Sequence, residues 1–410
     1  MGAPAARAAE FSRLWARQGH DVTVLTGFPN HPTGRVHPGY RRRLWRMVST
    51  EAEDGVKIVR SWLLPFPNGK AYERMLNYSS FFVSAASTGL FLERPDVVIA
   101  SSPQLLVGLA GWWLARCKNV PFVFEVRDLW PESLAAVGAG TEDSMLHRAL
   151  AAVAGFLYQN SDRIVVVTPA FKDHLIERWQ IPRHRITVVE HGVNVDEFSP
   201  LQSSFALRKR LDAEGRFVVS YIGTIGMAHG LETLVEAACL LQHSAPHVLF
   251  LIVGEGAEKQ RIKTLVRDRN LANIRFVDQR PRSEIPGYIC ASDASLVMLK
   301  KADLFRTVLP TKMLEVMACA RPVILGVEGY ARQIVHEADA GICFEPQNSI
   351  ALAEAVMRAA TAPFVWRETL GRNGRRFVVQ NFSRERSAWQ YLDLLGELVG
   401  EDRSRLAVPA

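Results

Sequence analysis

"RFVVSYIGTIGMAHGLETLVEAA", residues 216–238, changes from a β pattern to an α pattern within a few positions. Its first eight residues are dominated by Val, Ile, Tyr and Phe, the composition of a strand. A loop with Gly223, Gly226 and Gly230 follows, and then a helix-forming run. Strand, glycine turn and helix in that order predict a βα unit. Glycines let the backbone approach a ligand, and the helix N-terminus offers free N–H groups to an anion. An ordinary tight βα turn would read similarly. The loop is not of the Walker type, because Gly-Lys-Ser/Thr is missing.

The same pattern repeats outward from this unit. Downstream, strand-like runs occur at 247–254, 273–278, 294–299, 322–327 and 341–346. Upstream, they occur at 21–27, 56–62, 96–102, 121–128, 163–168 and 186–192. They are rich in Val and Ile without strict alternation, as expected for parallel strands covered on both faces. Helical stretches lie between them. The expected fold is α/β, with two Rossmann-like doubly wound domains facing a cleft and ligands at the carboxyl ends of the strands. The expected boundaries are 1–193, a hinge at 194–210, a second domain at 211–380, and a crossover helix with a tail at 381–410. The chain opens with a Gly-Ala-Pro turn and an amphipathic helix, where an α/β domain would begin with a strand. The first domain is therefore expected to lack its first strand.

Size and composition agree. The 410 residues suffice for two domains. A net charge of +7 suits an anionic partner, a nucleotide phosphate or a membrane surface, and is too weak a bias for nucleic acid. The five cysteines are far apart, without zinc spacing, and read as reduced thiols of a cytoplasmic protein. No metal site is expected. No apolar run reaches transmembrane length.

Five stretches carry candidate chemistry. The first is the glycine loop. The second, "LIVGEGAEKQRI" at 251–262, puts Gly254 and Glu255 after a strand, either as a second wall of a nucleotide pocket or as a turn. The third, "LFRTVLPTKMLEVMACARPVI" at 304–324, is a nearly apolar helix carrying one carboxylate. A buried charge needs a partner. If Thr311 caps the helix, Glu315 falls one residue past the capping-box position. An i,i+3 pair with Lys312 is one explanation. The other is a ligand, with Lys312 meeting a phosphate and the two oxygens of Glu315 accepting from adjacent ribose hydroxyls. The fourth, "EVRDLWPESL" at 125–134, sets Glu125, Arg127, Asp128 and Glu132 at a strand end, a good place for acid–base groups. An ion pair of Arg127 with a carboxylate is the alternative. The fifth, "EHGVNVDEF" at 190–198, places His191 and Asn194 at a sharp turn. His31, in "GFPNHPTG", is either a substrate contact or a turn residue.

Taken in order, these pieces resemble the retaining glycosyltransferases of family 4, which have the two-domain GT-B fold. "YIGTIGMAHGLETLVEAA", "LIVGEGAEK", "LPTKMLEVMACARPVI" and "AGICFEP" look like successive blocks of that family. "GAPAARAAEF", "GFPNHPTG" and "VRDLWPESL" look like its bacterial surface-polysaccharide branch, which includes fucosamine and colanic-acid transferases. The resemblance implies a UDP- or GDP-sugar donor and no cofactor. It implies that Gly223, Thr224 and Gly226 line the diphosphate and that Lys312 neutralises it. Glu315 matches the second glutamate of the family's Glu-x7-Glu motif, which holds the donor ribose, and Gly2 matches a loop near the donor phosphate. The first glutamate of that motif falls on Thr307. The family's Arg and Lys after the glycine turn are absent, so His229 or Arg306 is expected to assist Lys312. His191 stands where the family has Asn. Asp128 is the candidate for orienting the acceptor hydroxyl.

A lipid-linked acceptor and docking at the inner face of the cell membrane are further expectations. The basic stretch 37–47 and the apolar stretches 75–92 and 105–118 fit amphipathic anchoring, though core helices and a solvated loop would look the same. Two other functions share the shape: a non-hydrolysing UDP-sugar 2-epimerase, and an inactive nucleotide-sugar-binding partner subunit.

Overall fold

The computed structural model describes residues 3–30, 34–41, 43, 46–66, 71–132, 144–200 and 204–400. Gly2 and His31 lie outside the described residues, as do Arg42, Leu44 and Trp45 of the basic stretch. The chain divides into two units, with boundaries at Glu190/His191 and Ser387/Ala388, and the segment after Ser387 belongs with the N-terminal unit.

The first described element of the N-terminal unit is the helix Ala3–Arg17. Ala3 and Pro4 of the expected Gly-Ala-Pro turn are helical, since proline is well tolerated in a first helical turn, and Gly2 lies outside the described residues. Among the described residues seven strands follow: β1 (Thr23–Gly27), β2 (Val48–Glu53), β3 (Val56–Ser61), β4 (Val98–Ser101), β5 (Phe122–Val126), β6 (Arg163–Val166) and β7 (Ile186–Val188). They form a three-stranded sheet, β1-β3-β2, and a four-stranded parallel sheet, β4-β5-β6-β7. The antiparallel partner β2 was not anticipated from sequence. Its signal was the Asp54-Gly55 dipeptide, a hairpin turn with both residues at positive φ.

In the C-terminal unit the strands are β8 (Phe217–Ile222), β9 (Val248–Val253), β10 (Ile274–Val277), β11 (Ala294–Met298), β12 (Val323–Gly326) and β13 (Gly341–Cys343). All pair in parallel, in the order β10-β9-β8-β11-β12-β13. β9 and β11 are buried along their whole length and β8 up to its last residue, which explains their mainly apolar, non-alternating character. This is the doubly wound order that reverses direction between its first and fourth strands, here β8 and β11. In such sheets the crevice beyond the carboxyl ends at the reversal is the place for a ligand.

Candidate functional site

The loop leaving β8 starts at this reversal. Tyr221, buried near the end of β8, donates its hydroxyl to the carbonyl of Thr224 at 2.6 Å and so staples the loop from beneath. The loop leaving β9 supports it from the side. Ile225 N–H donates to Glu255 O, and Glu258 N–H donates to Ile225 O. The contact is close. A Cβ on Gly254 would lie 2.0 Å from the Gly223 carbonyl oxygen, and one on Gly256 would lie 2.2 Å from that of Ile225. Both have φ near +150°. Gly254 is therefore fixed by packing against the first loop. The Glu255 side chain pairs with Lys259, which also reaches Asp278 at 2.7 Å.

Lys312 rises toward the loop from the helix Thr311–Ala318. Its Nζ lies 3.2 Å from Tyr221 Oη, 4.5 Å from the centre of that ring, and 3.4 Å from His229 Nδ1. A Cβ on Gly223 would stand 3.6 Å from the ammonium. Burial lowers the Lys312 pKa to about 7, against the opposing pull of Glu315. Burial and then Lys312 lower His229 to about 3, with only its bond to Met298 O acting upward. The ring is therefore neutral. If Nδ1 carries the proton it donates to Met298 O, and otherwise it accepts from Lys312. Two desolvated nitrogens beside a glycine loop form a site that gains from an incoming anion. Lys300, which follows β11, runs along Gly230 on the same loop and was not singled out from sequence.

Glu315 sits one turn further along the helix. Of the two explanations offered by the sequence, the i,i+3 pair with Lys312 is not the contact that holds it. Arg282 Nη1 donates to Glu315 Oε1 at 3.0 Å, and Arg282 Nε reaches Glu197 at 3.1 Å. The guanidinium lies over the Phe198 ring. Burial pushes the Glu315 carboxyl above its ordinary range, although Arg282 and Arg384 pull it down. Thr311 is the first helical residue, with Pro310 as the cap, so it does not cap through its side chain. Arg306, expected to assist Lys312, is exposed and faces Asp303 and Glu328 at 3.8 and 4.0 Å. Thr307 turns its hydroxyl back onto Leu304 O at 2.6 Å. Asn194 accepts from the N–H groups of Asp196 and Glu197, shaping the turn that presents Glu197 to Arg282.

The N-terminal unit has its own charged centre. Arg7, 1% exposed, donates to Glu125 at 2.9 Å and to the carbonyls of Glu190 and Val189. Ser101 donates to the other oxygen of Glu125 at 2.7 Å. Burial alone would raise the Glu125 pKa, but Arg7 and Arg127 overcome it and hold the carboxyl below its usual value. Glu125 is thus a structural carboxylate. Asp128 differs. It is exposed at the end of β5, its N–H donates to Ser102 Oγ, and its partial enclosure raises its pKa against the pull of Arg127. Glu132 is buried, 3.2 Å from His174 and 3.4 Å from Arg178. Among the described residues there is no group of three or more His, Cys, Asp or Glu fit to hold a metal.

Residues 2–192 match the model of the glycosyl transferase 4-like domain, and residues 203–377 match that of the glycosyl transferases group 1. The chain is 26% identical to the colanic acid biosynthesis glycosyl transferase WcaI of Escherichia coli K12, over 85% of this chain and 86% of the relative. It is 23% identical to the glycosyltransferase WbjE of Pseudomonas aeruginosa, over 76% of each. Its fold is similar to that of sucrose-phosphate synthase from Thermosynechococcus elongatus (TM-score 0.75, 24% identity, 96% and 92% covered). It is also similar to that of Anabaena HepE in complex with UDP-glucose (TM-score 0.71, 15% identity, 92% and 100% covered).

Proposed function

This chain belongs to the family 4 glycosyltransferases of the GT-B fold, and we propose that it moves a sugar from a UDP- or GDP-sugar to a lipid-linked glycan in surface-polysaccharide assembly, with retention of anomeric configuration. The colanic-acid relative supports the polysaccharide setting, and the UDP-glucose complex of HepE supports a nucleotide-sugar donor. Both matched models describe glycosyltransferases, so neither the epimerase nor the inactive-subunit reading is favoured.

The observation that carries the reading is the Lys312 ammonium beside Tyr221, His229 and Gly223, at the strand-order reversal. In this reading the diphosphate lies on the loop from Gly223 to Gly226, near Thr224, with Gly254 and Glu255 behind it. Lys312 neutralises the charge that develops as the nucleoside diphosphate departs, a role that needs a fixed cation and no cofactor. Glu315 accepts from the ribose hydroxyls and Asp128 orients the acceptor hydroxyl. The reaction takes place at the inner face of the cell membrane. Among the described residues no helix is long and apolar enough to cross a membrane.

Calorimetry with UDP, GDP and ADP tests the donor site. Micromolar binding of UDP or GDP is expected, and no binding of any of the three would overturn the reading. NMR of the anomeric proton in the transferred product tests retention, and an inverted product would refute it.

A further inference from the structure

We propose that the Tyr221 hydroxyl is a positioning group that makes the shape of the glycine loop depend on the charge of Lys312; for its use in donor binding this rests on the reading above. The residue is fully buried, and its hydroxyl has one proton for two neighbours. It donates to Thr224 O at 2.6 Å and lies 3.2 Å from Lys312 Nζ. An ammonium carries three donors and no lone pair. Beside charged Lys312 the hydroxyl can therefore only accept, and its proton is committed to Thr224 O. A neutral amine has a lone pair. Beside it the hydroxyl is free to turn its proton to Nζ and release the carbonyl.

The released group belongs to the peptide between Thr224 and Ile225, which is gripped at both ends. Its N–H donates to Glu255 O at 2.8 Å, and its carbonyl is held by Tyr221. Thr224 itself is exposed, so the hydroxyl is the buried anchor of this part of the loop. Loss of that bond leaves the peptide held at one end. An anion that favours the charged lysine restores it, so cation and loop are set together. The other groups facing Lys312 do not switch in this way. His229, lowered to about 3, is already neutral. Tyr221 keeps its proton, because burial raises its pKa. Glu315 lies on the helix of Lys312 and is bound to Arg282. β11 offers Ser295 and the Met298 carbonyl, neither of them titratable.

The test is NMR of the full chain without nucleotide. Thr-Ile occurs once in the sequence, so carbonyl-labelled Thr with 15N-labelled Ile marks this peptide alone. In the wild type the Thr224 carbonyl shift should titrate together with the Lys312 Cε shift, with a midpoint of about 7. Tyr221→Phe keeps the ring and removes the hydroxyl. It should flatten the carbonyl titration and lower the Lys312 midpoint by about half a unit or more, because a hydrogen bond to the charged form is lost. Its nucleotide affinity should begin to fall at a correspondingly lower pH. Lys312→Met should remove the carbonyl titration, and melting curves check that both variants fold. A wild-type carbonyl that does not titrate would overturn the proposal without any variant. So would a titration that survives unchanged in Tyr221→Phe or Lys312→Met. Nucleotide calorimetry of the wild type separates the two readings. A titrating carbonyl without binding of UDP or GDP removes the donor reading alone, and binding with a static carbonyl removes the coupling alone.

Discussion

Arg282 and Glu315, 33 residues apart in sequence, form a half-buried ion pair with 3.0 Å between Nη1 and Oε1. Through its Nε the same guanidinium holds Glu197, so one cation ties two carboxylates. Glu315→Ala is expected to weaken UDP or GDP binding by about 10- to 100-fold, the range for a hydrogen bond to a charged group. Arg282→Met should act differently, because it strands two carboxylates. A stability loss of about 2 kcal/mol in denaturant melts is expected, together with weaker nucleotide binding. Unchanged affinity in both variants would remove Glu315 from the donor site.

Lys312 gives a pH prediction. Its free-state pKa is lowered to about 7, so the empty site holds the ammonium only partly charged at neutral pH. A bound diphosphate favours the charged form and raises that pKa. Affinity should be flat below pH 7 and fall as pH rises above it, until the pKa of the complex is passed. Calorimetry near pH 8 in buffers of different ionisation enthalpy should report proton uptake on binding. Lys312→Met should remove both the uptake and the slope, and a slope that survives the substitution would assign it elsewhere.

Gly254→Ala tests the contact between the two loops. The new methyl would lie 2.0 Å from the Gly223 carbonyl oxygen, at a backbone φ of +150°. The expected cost is about 1–3 kcal/mol in chemical denaturation, with loss of nucleotide affinity. A variant as stable as the parent, with intact binding, would contradict the close packing.

Asp128 should separate turnover from binding. Asp128→Asn is expected to lower kcat by about 100-fold or more, the scale of a positioned acid–base group, while nucleotide affinity stays the same. The ionised carboxylate is the form that accepts from an acceptor hydroxyl. With its pKa raised by enclosure, activity should fall on the acid side at a pH above the ordinary aspartate range. The variant should lose that limb. An identical pH profile in parent and variant would exclude the role.

The fold could largely be read from sequence, because strands buried on both faces leave mostly apolar runs without strict alternation, such as 217–222 and 248–253. The glycine turn after β9 was legible for a similar reason, since Gly254 and Gly256 answer a steric demand that no other residue meets. Partnerships were harder to see. Spacing offered two explanations for Glu315, an i,i+3 pair with Lys312 or a ligand, because a linear pattern displays only near neighbours. The structure gives Glu315 to Arg282 and Lys312 to Tyr221 and His229, partners 83–91 residues away for Lys312. Arg7 was also missed. In the opening helix it resembles any solvated arginine, and its burial depends on carbonyls more than 180 residues downstream.

The interlock of the turns after β8 and β9 constrains any redesign of either turn. Gly223 and Ile225 are covered by Gly254 and Gly256 with no room for a methyl group. Grafting either turn alone from a relative brings a mismatched counterpart. Chimeras at these turns must therefore exchange residues 223–230 and 254–258 as a single cassette.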